Sequence, residues 1–115
     1  MSGTETAVRE QIPPGSLDML ILRVLERHAE LHGFEIAETI QRVSAEVLQV
    51  EEGSLYPALQ RILMQGWVIA EWGKTKENRR ARYYRLTAAG RKHLAREIES
   101  YQRVARAIDL ILQPI

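Results

Sequence analysis

The sequence predicts a mainly α-helical domain with a small two-stranded β-wing and a long C-terminal helix. Three observations carry this. Apolar residues recur at helical spacing in four segments; two strand-favouring runs follow Gly66, separated by a polar turn; and the basic residues crowd around that turn.

Residues 1 to 12 are polar and lack a strong period, and Pro13-Pro14-Gly15 punctuates them, so a mobile arm over residues 1–15 is expected. Ser16 can cap a first helix in which Leu17, Leu20, Ile21, Val24 and Leu25 form the apolar stripe, widened by Met19 and Leu22. His28 and His32, four apart, can in principle ligand a metal from one helical face. With no third ligand nearby and Gly33 stopping the helix, a surface or capping role is expected instead. Gly33 opens a second helix with Phe34, Ile36, Ala37, Ile40, Val43 and Val47 at its apolar positions.

A third helix carries Leu55, Leu59, Ile62 and Leu63 on one face, and Ser54, Tyr56, Gln60 and Arg61 on the other. Ser54 is the expected N-cap, because Pro57 is tolerated in a first turn, where amide hydrogens have no helical acceptor. Gly66 stands where a C-cap glycine belongs. Trp67 to Trp72 then favour a strand, Gly73 to Ala81 a basic turn, and Arg82 to Leu86 the return strand. Helix, strand, basic loop and strand make a winged helix-turn-helix, expected over residues 16–87.

Thr87 caps a last helix from Ala88 to about Leu112, which Gly90 in the first turn weakens only slightly. Leu94, Ile98, Tyr101, Ala105, Ile108 and Leu112 repeat at alternating spacings of four and three, a coiled-coil seam, with Val104 and Ile111 widening it. A helix of roughly 25 residues is about 37 Å long, more than so small a unit can cover. Residues 88–115 are therefore read as a dimerisation helix, and the chain as a homodimer.

Composition narrows the function. At 115 residues, 45% of them hydrophobic and 27% charged, the chain is an ordinary globular domain. It has no cysteine, which excludes disulfides and cysteine-ligated metal and fits the cytoplasm. No apolar run approaches the roughly 18 residues of a membrane span. The three histidines, His28, His32 and His93, show no nucleophile partner, and there is no glycine-rich phosphate loop. Neither an enzyme nor a cofactor is expected.

The net charge of +1 conceals an asymmetry. Lys74 to Lys92 hold eight basic residues against Glu77 alone, whereas residues 1–73 hold five basic and eleven acidic ones. Such concentration is a footprint of a nucleic-acid partner. Lys74, Lys76, Arg79, Arg80 and Arg82 on the wing can neutralise phosphates, giving affinity. Ser54, Tyr56, Gln60 and Arg61 on the third helix can reach base edges or adjacent phosphates, giving sequence choice. The other reading open to this pattern is a winged-helix module for protein interaction, which uses the apolar stripe of the last helix and leaves the wing solvated.

Three blocks resemble signatures of the PadR family of bacterial transcriptional regulators: Leu31 to Ile36, Glu52 to Arg61, and Tyr84 to Arg91. The similarity runs from about Gly15 to Leu94, and the length resembles the subgroup with a single C-terminal helix. Two positions depart from the pattern, Phe34 where the family often has tyrosine and Gln60 where a basic residue is common. The resemblance implies a dimeric repressor that binds a palindromic double-stranded DNA operator and is released by a small hydrophobic or aromatic effector.

Overall fold

The computed structural model describes residues 8–115. Helix α1 (Leu17–Arg27) follows the Pro-Pro-Gly turn and turns Ile21, Leu22 and Leu25 inward. Ser16 precedes it but is itself in helical conformation, and its side chain makes no capping bond. The helix stops at Arg27, so His28 and His32 do not share a helical face. Instead Leu31 and His32 form a short strand, β1.

Helix α2 (Gly33–Val43) begins with a capping box in which His32 and Glu35 satisfy each other's amide groups. It buries Ile36, Thr39 and Ile40. Ala45 and Glu46 have left-handed backbones (φ 55° and 68°) and end it, so Val47 lies outside the helix. Two residues expected in the core are not there: Phe34 and Val43 are 68% and 67% exposed. Phe34 stands two residues from Ile36, about 200° round the helix and hence on another face. Val43 closes the last turn.

Helix α3 (Glu52–Met64) starts three residues earlier than the sequence suggests. The amides of Ser54 and Leu55 both donate to the Glu51 carbonyl (3.0 and 2.9 Å), which makes Glu51 the N-cap and Ser54 the third helical residue. Pro57 therefore sits in the second turn and leaves the Gly53 carbonyl without its helical donor. Leu55, Ala58, Leu59 and Ile62 are buried. The helix ends as a Schellman motif, with Gly66 left-handed (φ 77°) and amides donating from Trp67 to the Ile62 carbonyl and from Gly66 to that of Leu63 (both 3.0 Å).

Strands β2 (Val68–Lys74) and β3 (Arg80–Leu86) form the wing, in register from Val68 opposite Leu86 to Lys74 opposite Arg80. Both reach further into the basic segment than the expected strands, leaving a turn of only Thr75 to Arg79. Asn78 takes the left-handed conformation there (φ 63°). The sheet has three strands rather than two: β1 pairs antiparallel with β3, so β3 is central.

Helix α4 (Ala88–Leu112) is capped by Thr87, whose hydroxyl accepts from the Gly90 amide (3.0 Å) and donates to the Gly66 carbonyl (2.7 Å). Gly90 is no mere weakness in the helix. A methyl group there would collide with the Trp67 carbonyl. Leu94, expected in the dimer seam, is only 1% exposed and belongs to the chain's own core, and Ile98 packs partly against it. Tyr101, Ile108 and Leu112 are 53%, 48% and 73% exposed, with Ala105 half-buried between them.

Of the arm, residues 1–7 lie outside the described residues. The rest is docked: the Glu10 amide donates to the Val47 carbonyl (2.8 Å), and Ile12 packs on the core.

Candidate nucleic-acid interface

Helix α3 offers one exposed strip. At about 100° per residue, Leu55, Ala58, Leu59 and Ile62 centre the buried face, so Gly53, Pro57, Gln60 and Met64 centre the opposite one. The four residues expected to choose sequence straddle this strip. Gln60 lies in its middle, Tyr56 on its α2 side, and Ser54 and Arg61 on its α1 side. All four are exposed.

The flanking pair are anchored by their neighbours. A methyl added at Gly33 would lie 3.4 Å from the Tyr56 ring, so α2 and Tyr56 sit in close apposition. The Arg61 guanidinium donates twice to Asp18 of α1, through Nε (3.2 Å) and Nη2 (2.8 Å). That carboxylate raises the Arg61 pKa above its ordinary value, first by hydrogen bonding and then by charge. Arg61, expected as a free reader of bases or phosphates, is thus already paired on one edge. Ser54, Pro57 and Arg61 line one wall of a groove of about 770 Å³, and Arg9 to Gly15 line the other.

The wing has two unlike faces. Side chains alternate along a strand, so Val68, Ala70, Trp72 and Lys74 share a side with their partners Leu86, Tyr84, Arg82 and Arg80. At the root this side is core, with Val68 and Tyr84 buried. Towards the tip it becomes a basic platform. Trp72 is 59% exposed, and the guanidinium carbons of Arg80 and Arg82 lie 4.3 and 5.9 Å from its ring centroid. The other side carries Tyr83 and an Arg85–Glu71 ion pair (3.1 Å), which neutralises its charge.

Of the five wing cations expected to meet phosphate, Lys74, Arg80 and Arg82 therefore stand together on one platform. Lys76 and Arg79 project from the turn, where the Arg79 amide donates to the Thr75 hydroxyl (3.2 Å). Burial raises the Tyr84 phenol pKa, while neighbouring Arg82 lowers it. The platform continues the apolar face without a break, so its geometry is set by the core.

Two residues of this surface escaped the sequence reading. The sequence marks Trp72 only as the end of a strand; strand alternation combined with the register places it beside Arg82. Asp18 had no local signal, because its partner is 43 residues away.

Residues 21–96 match the transcriptional regulator PadR-like family. An uncharacterized protein of Lysinibacillus sphaericus, protein X, is 31% identical over 107 residues, covering 92% of this chain and 96% of its own. The transcriptional regulator Rv3488 of Mycobacterium tuberculosis is 33% identical over 79 residues, covering 69% of this chain and 70% of its own. Among solved structures, a transcriptional regulator from Clostridium thermocellum superposes with a TM-score of 0.78 at 26% identity, covering 86% of this chain and 95% of that one.

Proposed function

The chain belongs to the PadR-like family of transcriptional regulators, and we propose that it acts in the cytoplasm as a homodimeric repressor of a double-stranded DNA operator. The observation that carries DNA binding is the wing platform. Lys74, Arg80 and Arg82 sit on the side of the sheet that is continuous with the core, with Lys76 and Arg79 at the tip, while the cation on the opposite side is neutralised by Glu71. Cation–π contact with Trp72 restrains Arg80 and Arg82. The wing supplies phosphate contacts, and Ser54, Tyr56, Gln60 and Arg61 on α3 read the groove.

The homodimer rests on the apolar outer half of α4, where Tyr101, Val104 and Ile108 are about half exposed and Ile111 is 81% exposed. Two copies joined there present two α3 helices to a palindromic operator. Repression, and release by a small hydrophobic or aromatic effector, follow the family's habit.

Salt titration tests the reading. Affinity for DNA from upstream of the chain's own gene should fall steeply with salt. Changing Arg79, Arg80 and Arg82 together to Ala should flatten the log–log slope by roughly 3 per protomer, at about 0.9 per lost phosphate contact. Binding that ignores salt, or the triple change, would exclude the wing as a phosphate contact and favour a protein-interaction module.

A further inference from the structure

Asp18 is a carboxylate on a surface that should favour cations. It occupies the first turn of α1 and its side chain is 26% exposed. A carboxylate in the first turn is favoured by the helix dipole, and a surface ion pair adds little more to stability. Its geometry is specific, however. The two oxygens take the side-on edge of Arg61, Nε and Nη2; the end-on edge, Nη1 and the second hydrogen of Nη2, meets no hydrogen-bond acceptor among the described residues. Arg61 itself is 57% exposed.

We propose that Asp18 is a positioning residue that presents the end-on edge of Arg61 to a guanine in the operator. This rests on the DNA-binding reading above and deepens it. Charge favours guanine over phosphate, and geometry and restraint suit Arg61 to read it. An arginine reads O6 and N7 of guanine with two parallel donors, which is what the open edge offers. A phosphate, by contrast, rewards uncompensated positive charge, and Asp18 compensates it. Finally, the carboxylate holds an otherwise flexible side chain in one orientation, so less freedom is lost on meeting the base.

Placement agrees with this. Arg61 stands in the last turn of α3, but side chains on a helix lean towards its N-terminus, so its guanidinium reaches back towards Pro57 and Ser54, which line the same groove wall. The early turns of α3 are those that enter a major groove in helix-turn-helix docking. Asp18 thereby turns a general cation into a reader of one base.

Selection from a random duplex library, with wild type, Asp18→Asn, Asp18→Glu and Arg61→Ala, tests the proposal. Wild type should enrich a motif with a guanine at a position where Asp18→Asn and Arg61→Ala lose about ten-fold of the preference, the scale of one bidentate base contact. Preferences at the other positions should persist, and Asp18→Glu should recover part of the loss. If Asp18→Asn instead tightens binding to all sequences and steepens the salt dependence, Arg61 holds a phosphate and the proposal falls. An unchanged motif in Asp18→Asn also overturns it. Should that variant fail to fold by circular dichroism, Arg61→Ala decides, and a retained guanine preference is fatal. A wild type that binds DNA without enriching any motif removes this proposal alone, whereas one that binds no DNA removes the DNA-binding reading as well.

Discussion

The two halves of α4 share one helix and one apolar stripe but have opposite surroundings. In the first half Gly90 is pressed against the Trp67 carbonyl and Leu94 is enclosed by the core. In the second half Val104, Ile108 and Ile111 are 55%, 48% and 81% exposed. The stripe continues past the point at which its own domain ends. An apolar face buried at one end and bare at the other teaches that periodicity reports a side to be covered, without saying by what.

The largest effect that would sharpen this contrast is Leu94→Ala. It should cost about 2–5 kcal/mol, as truncation of a fully buried leucine does, measured by denaturant unfolding. Its effect on association should only follow the loss of fold. A cost below about 1 kcal/mol would place Leu94 outside the working core.

Gly90→Ala comes next. Helix propensity alone favours alanine by about 1 kcal/mol, but the contact with the Trp67 backbone leaves the methyl no room. A net loss of about 1–3 kcal/mol is expected from overpacking, read as a lowered melting temperature. A stabilised variant would show that the junction between β2 and α4 yields easily.

Ile108→Glu should leave the monomer's fold nearly untouched, since surface changes usually stay within about 0.5 kcal/mol. Its effect belongs to association: light scattering should give a dimer for the wild type and a monomer for the variant. Dimers persisting in the variant would move the interface elsewhere and dissolve the contrast between the halves.

The wing repeats the lesson on a smaller scale. One face of its sheet is core at Val68 and Tyr84 and a solvent-exposed cationic platform at Trp72, Arg80 and Arg82. Composition located the charge, but the side on which each cation stands depends on the register of β2 against β3. Arg85 illustrates the difference. It lies in the same basic run, yet it falls on the opposite face and is paired with Glu71.

Much of the fold was legible because helices and caps are local. Stripes at 3.6 spacing marked α1, α3 and α4, Thr87 marked the start of α4, and Gly66 the end of α3. Strand β1 was not legible, since two residues have no period and Leu31 and His32 pair only because Tyr84 and Tyr83 lie opposite. The start of α3 was displaced because Pro57 was assumed to need the first turn, whereas the helix accepts it in the second. Phe34 and Val43 were assigned to the core by spacing alone and are mostly exposed.

Most of each helix, the glycine that ends α3, the crowding of cations near one turn and the motifs of the family are legible in the sequence, because each is written within a few neighbouring residues. The tertiary structure alone decided that Leu94 belongs inside, that Gly90 must be small, that Arg80 and Arg82 flank Trp72, and that Arg61 is held by Asp18. These depend on pairs far apart in the chain, whose meeting is set by how helices and strands pack rather than by any spacing along them.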